Sequence, residues 1–203
     1  MLEYPSITKN VVNAPIYAFD KLDGSNVRVE WSRKNNFTKF GSRKRLLTAD
    51  EEPLGEAIHI FNENLSDRLV KPLRNLRVER ATLFMEFHGP NSFAGAHEDE
   101  EHSLTLFDVS LFKKGFMLPK EFMKTFENIV PTADLLYHGN ANSDFLEEVH
   151  SGILDGMTFE GVVCKSQELV RGKQVRFKVK NQAWLEKLKN KCGNDEKMFE
   201  ELS

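Results

Sequence analysis

Apolar and polar residues alternate with period two on both sides of a short polar stretch near the N-terminus. Ile16-Tyr17-Ala18-Phe19 precedes Lys21-Leu22-Asp23-Gly24-Ser25-Asn26, and Val27-Arg28-Val29-Glu30-Trp31 follows it. Such alternation predicts two strands. The Asp23-Gly24 pair predicts a hairpin turn between them, with Lys21 at the end of the first strand. Phe37 to Phe40 reads as a second hairpin arm and runs into a basic cluster, Lys39, Arg43, Lys44 and Arg45. Residues 1–15 read as an extended lead-in before Pro15.

From Thr48 to Asn75 the period lengthens to that of a helix. Leu54, Ile58, Phe61 and Leu65 fall on one face, Thr48 or Asp50 caps it, and Pro53 sits in its first turn. Ser66-Asp67 restarts a second helix carrying Leu69, Val70 and Leu73. Ala81 to Phe87 is a predicted strand. Pro90 to Ser103 is a predicted acidic loop holding His97 and His102. Leu104 to Val109 and Ser110 to Met117 are predicted strands, and Pro119 to Ile129 is an amphipathic helix with Phe122, Phe126 and Ile129 inward. Leu135 to Tyr137 (strand), Ser143 to His150 (helix), Met157 to Lys165 and Gln174 to Lys180 (strands) and Asn181 to Asn190 (helix) complete the pattern. The last dozen residues are charged and are expected to fray. Paired strands with helical insertions predict an α+β domain with largely antiparallel sheets flanked by helices.

Composition narrows the function classes. The chain has 203 residues, 40% of them hydrophobic, with 16 phenylalanines, which is ample for a core. A net charge of -3 excludes a general polyanion sponge, so any nucleic-acid contact comes from a local patch. Cys164 and Cys192 lack the spacing of a disulfide framework or a zinc site, and they suit a reducing compartment. No signal peptide is expected from the first residues. No apolar run is long enough to cross a bilayer. No repeat, low-complexity tract or linker stands out.

Several residues are out of place for ordinary packing. Glu86 lies between aromatics in Phe84-Met85-Glu86-Phe87-His88-Gly89, where a buried carboxylate costs several kcal/mol without a partner. Glu160 begins Glu160-Gly161-Val162-Val163-Cys164-Lys165. In Arg176-Phe177-Lys178-Val179-Lys180 the period of two puts three cations on one face and two apolar residues on the other. The plain alternative for that strand is a solvated cationic face.

Taken in this order, Lys21, Arg43, Glu86, Phe107, Glu160, Lys178 and Lys180 resemble the motifs of the covalent nucleotidyltransferases. That superfamily comprises ATP-dependent DNA ligases, RNA ligases and mRNA capping guanylyltransferases. The wording Lys-Leu-Asp-Gly-Ser-Asn and the ending Lys-Val-Lys-Asn are closest to the RNA ligase 2 branch, and the resemblance spans about residues 16–182. It implies a nucleotidyltransferase (ATP-grasp-like adenylation) domain of the polynucleotide ligases over 1–182, followed by a helix and tail over 183–203 with no OB-fold domain.

The resemblance also implies roles. Lys21 is the nucleophile that takes AMP from ATP. Glu86 holds the ribose, and Phe107 stacks on adenine. Glu160 stands near a catalytic Mg²⁺ (or Mn²⁺). Lys178 and Lys180 grip the α-phosphate. Asn26 and Arg43 meet nucleotide phosphates or an RNA 3′ end, and Asp20 shapes the adenine end. The partners implied are RNA ends or a nicked RNA-containing duplex, with a second protein chain supplying the missing C-terminal surface, in a cytoplasmic setting and without a membrane. The alternatives are a minimal DNA ligase, a capping guanylyltransferase and a non-catalytic nucleotide-binding module. Chemically, only about one free lysine in 2,500 is neutral at pH 7, so a lysine nucleophile needs cationic neighbours or burial to shed its proton.

Overall fold

The computed structural model describes residues 1–90, 92 and 99–202, with side chains up to 200. The chain forms two compact units, one taking Met1–Pro5 and most of Gly24–Ala133, the other chiefly Ser6–Asp23 and Asp134–Ser203.

The first unit is built on a six-stranded antiparallel sheet. Its strands are β2 (Ser25–Ser32), β3 (Asn36–Gly41), β4 (Leu46–Leu47), β5 (Arg80–His88), β6 (Ser103–Leu111) and β7 (Gly115–Phe116), in the order β4-β3-β2-β5-β6-β7. One face is apolar because alternate residues point the same way: Val27, Val29 and Trp31 from β2, Leu83 and Met85 from β5, Leu104, Leu106 and Val109 from β6. Helices α1 (Glu56–Asn64), α2 (Ser66–Asn75) and α3 (Pro119–Phe126) cover that face with Phe61, Leu69, Leu73, Phe122 and Phe126. Pro119 opens α3 at its first turn, where a missing N–H is harmless.

The second unit is built on a four-stranded antiparallel sheet, β10-β9-β1-β8. These strands are β1 (Pro15–Asp20), β8 (Leu135–Asn140), β9 (Gly161–Val170) and β10 (Lys173–Lys180). Ile16, Ala18, Val162, Cys164, Phe177 and Val179 form its core with Phe145 and Val149 of α4 (Ser143–Ser151). Asn142 caps α4 by accepting from the Phe145 amide at 2.9 Å. Helices α5 (Gln182–Cys192) and α6 (Glu196–Leu202) follow β10.

Several boundaries depart from the sequence pattern. The predicted hairpin around Lys21 does not form, because β1 and β2 belong to different sheets and the polar stretch carries the chain from one to the other. Gly24 serves close approach here: a Cβ on it would lie 2.3 Å from the Phe87 carbonyl oxygen. The helix expected from Thr48 starts at Glu56 with Gly55 as its cap. Pro53 disfavours helical backbone at Glu52 and so delays the start. β6 runs unbroken to Leu111, and the strand expected over Ser110 to Met117 shrinks to β7 after a turn closed by Lys114 N–H to Leu111 O at 3.0 Å. α3 stops at Phe126, and β9 begins at Gly161, leaving Thr158 to Glu160 in a loop. The tail expected to fray carries α6. Within the predicted acidic loop, His97 lies outside the described residues, while His102 Nδ1 contacts Glu56 Oε2 at 2.7 Å. Among the described residues no helix is long and apolar enough to cross a membrane.

Candidate active site

The second unit brings two of the predicted lysines onto one predicted carboxylate. Antiparallel register is the cause. β1 pairs with β9 so that Asp20 lies opposite Val162, and β10 pairs with β9 from the other side so that Lys180 lies opposite Gly161. Lys21, one step past β1, donates its amide to the Gly161 carbonyl at 2.9 Å. Glu160, one step before β9, accepts at its carbonyl from the Asn181 amide at 3.1 Å. A strand end from each side therefore delivers its lysine to the residue that opens β9.

Glu160 is 4% exposed. Its Oε1 lies 2.8 Å from Lys21 Nζ and also accepts a hydrogen bond from Lys180 Nζ. A carboxylate this deep is tolerated because two amines face it. Lys21 keeps 26% of its side chain exposed and is thus reachable by a ligand. Lys180 is buried, with its Nζ 3.8 Å from the centre of the Trp184 ring. Burial lowers the Lys180 pKa to about 7, and the charges of Lys21 and Lys178 add to this against the opposing pull of Glu160. A solvated cationic face on β10 is therefore overturned at Lys180, while Lys178 stays half-buried on the same face and Phe177 and Val179 fill the core as the alternation predicts.

Gly161 is required at this junction. Its φ is +132°, and a Cβ would come 2.2 Å from the Val179 carbonyl oxygen. Asn181, which ends the Lys-Val-Lys-Asn run, caps α5 by accepting from the Ala183 amide at 2.9 Å. That cap starts the helix whose Trp184 lies against Lys180.

Asp20 is 6% exposed and accepts from Thr158, through the backbone N–H at 3.1 Å and through the hydroxyl. This ties it to the loop carrying Glu160, a contact that sequence reasoning did not foresee. The only signal for it is the polar Thr158 set between Met157 and Phe159 ahead of the glutamate.

The first unit holds Asn26, Glu86, Phe107 and Arg43. Asn26 and Glu86 are cross-strand neighbours on β2 and β5, on the face turned away from the helices. The Asn26 Oδ1 is buried and has no hydrogen-bond partner among the described residues, so this motif residue offers a free acceptor to a ligand donor. Phe107 is half-buried on β6, and the Tyr4 ring meets it edge-on at 5.1 Å. Tyr4 also donates to Asp108 at 2.9 Å. The lead-in that the pattern left featureless is thereby anchored beside the aromatic, and the sole hint was Tyr4 standing before Pro5. Arg43 sits exposed in a turn closed by Ser42 N–H to Arg45 O at 2.9 Å and held by Arg28 Nε, which donates to Ser42 O at 2.6 Å. Within the basic cluster Arg45 is engaged by Glu51, and Lys39 lies 3.5 Å from Glu30.

A divalent cation is tested by the donor set. Among the described residues no group of three or more His, Cys, Asp or Glu side chains gathers. Glu160 presents a lone carboxylate beside two lysines. That set fits a hard ion completed by substrate phosphate oxygens and water, as Mg²⁺ commonly is, and it does not fit an all-protein cage.

In the second unit a strand-end lysine and a second strand's lysine thus share one glutamate. The family model for RNA ligase matches residues 14–180, and the chain belongs to that family. The fold is similar to that of the Naegleria gruberi RNA ligase. For that ligase with PPi the TM-score is 0.66 at 21% identity, covering 87% of this chain and 52% of that one. For a mutant with ATP and Mn the values are 0.65 and 20%, covering 85% and 51%. For an apo mutant they are 0.65 and 17%, covering 93% and 60%. The chain thus spans about half of the Naegleria protein's length in the first of these matches. Among curated proteins none matches.

Proposed function

We propose that the chain is the adenylyl-transferring domain of an ATP-dependent RNA ligase, with Lys21 as the covalent nucleophile. The observation that carries this is the Lys21–Glu160–Lys180 cluster in a member of the RNA ligase family. Neutral Lys21 Nζ attacks the α-phosphorus of ATP, a P–N bond forms, and the P–O bond to pyrophosphate breaks. Lys178 and Lys180 offset charge on the phosphate as it builds. Glu160 orients the Lys21 amine before attack and would be the residue to hold a divalent cation, which would supply neutralisation of phosphate charge.

The AMP then passes to a 5′-phosphate at an RNA end. A 3′-hydroxyl attacks that 5′–5′ pyrophosphate, a phosphodiester forms and AMP leaves. Glu86 and Phe107 take the ribose and the base, and Asn26 offers its orphan acceptor to the nucleotide. Arg43 meets RNA phosphate or the 3′ end. The finer parts of this reading are RNA ends or a nicked RNA-containing duplex as substrate, a partner chain completing RNA binding, and a cytoplasmic setting. The last is supported by two buried free thiols.

The test is incubation with ATP and Mg²⁺ followed by intact mass measurement. One added AMP is expected on the wild type and none on Lys21→Ala, with both folded. An unmodified wild-type mass, or a persistent adduct on the variant, removes Lys21 from this role.

A further inference from the structure

Thr158 has no part in the chemistry above, yet its amide and its hydroxyl both donate to the buried Asp20 carboxylate. The geometry points to a clamp in which Thr158, held by Asp20, fixes the Glu160 carboxylate on the Lys21 amine, so that Thr158 is a positioning residue for adenylyl transfer. This rests on Lys21 being the nucleophile.

Glu160 lies outside the β9 ladder, so strand pairing alone does not place it. Its carbonyl is tied to Asn181 on one side. On the other side the preceding loop is held by the turn bond from the Met157 amide to the Leu154 carbonyl at 3.2 Å, by Phe159 packed against the α5 cluster, and by Asp20, of which only Asp20 also adjoins Lys21 in the chain. Asp20 receives both the amide and the hydroxyl of Thr158. Asp20 and Lys21 are consecutive, and consecutive side chains in extended backbone point to opposite sides. One short segment therefore grips the loop with the first side chain and meets its glutamate with the second. The Asp20 amide in turn donates to the Asp134 carbonyl at 2.8 Å, which anchors the gripping residue to the chain just before β8. Thr158 is itself exposed, so its hydroxyl fills no core space and its value lies in the bond it makes.

Thr158→Val keeps the shape and removes the hydroxyl, while Thr158→Ser keeps the hydroxyl. Single-turnover formation of lysyl-AMP is followed against ATP concentration for both variants and the wild type. The valine variant is expected to lose about tenfold to a hundredfold in maximal rate, with apparent ATP affinity within about twofold of wild type, because a misplaced reacting group acts on the step and not on binding. The serine variant is expected to recover most of the rate.

Amide hydrogen exchange supplies a readout free of activity: Asn181 and Lys21, whose amides donate to Glu160 and Gly161, lose protection in the valine variant while its melting temperature holds. A wild-type rate in the valine variant, an equal loss in the serine variant, or unchanged exchange overturns the clamp. If the wild type takes no AMP, the nucleophile reading fails, and exchange at Asn181 still decides the clamp. Should the valine variant not fold, Asp20→Asn replaces it, with the same split between rate and affinity expected.

Discussion

Lys180 and Cys164 lie on neighbouring strands and show how burial acts on opposite kinds of group. Burying an amine disfavours its charged form, and the Lys180 pKa falls to about 7. Burying a thiol disfavours its thiolate, and the Cys164 pKa is pushed up to about 12. The sign for Cys164 follows directly. Its folded value lies above the ordinary one, so the stability it contributes is full below about pH 9 and is lost as pH rises from there toward 12. Alkylation is the practical check. At pH 8 the Cys164 thiol is expected to resist iodoacetamide in the native protein and to react once the protein is unfolded in urea. Labelling of the native thiol at the unfolded rate would place it outside the core. At the same scale, Lys21→Arg is expected to keep the ion pair to Glu160 and form no adduct by intact mass, since a guanidinium does not give up its proton. An AMP adduct on that variant would contradict the nucleophile.

At the scale of elements, the junction of β9 and β10 is the sensitive point. Gly161→Ala forces a side chain into left-handed backbone and against the Val179 carbonyl. A loss of about 2 kcal/mol or more is expected in urea unfolding, with adenylylation lost alongside because Glu160 moves. A variant as stable and as active as wild type would show that the close approach relaxes cheaply. Asn181→Ala removes the α5 cap and is expected to lower stability by about 1 kcal/mol, whereas Asn181→Ser retains most of it. Equal losses for alanine and serine would show that the cap bond is not what Asn181 contributes.

The elements themselves were largely legible. Alternation located β1, β2, β5 and β10 to within about two residues, β9 lay further along the chain than expected, and the restart at Ser66 separated α1 from α2. The helix start at Glu56 and the run of β6 on to Leu111 were not legible, because turns around Pro53 and Lys113 answer to backbone geometry that periodicity does not encode.

For the whole molecule, the proposed function divides the cationic residues between RNA and ATP. Arg43 is exposed on its turn, while Arg45 of the same cluster is engaged by Glu51. Arg43→Ala is therefore expected to reduce joining of RNA ends severalfold while leaving self-adenylylation near wild type, and Arg45→Ala is expected to do less. Gel assays of joining, beside intact mass for the adduct, separate the two. Equal loss of both activities in Arg43→Ala would mean that this arginine serves the nucleotide.

By itself the sequence determined the chemistry on offer: which strands are two-faced, which lysines face away from the core, and which glutamates stand where a carboxylate is costly. Those properties depend on residues two or three apart, and short-range pattern records them. Only the tertiary structure decided that β1 and β2 part into different sheets, that Lys21 and Lys180 share one oxygen of Glu160, and that Thr158 is bound to Asp20. Each of these joins residues far apart in the chain, and the choice among such pairings is made by antiparallel register and core packing, which no local window contains.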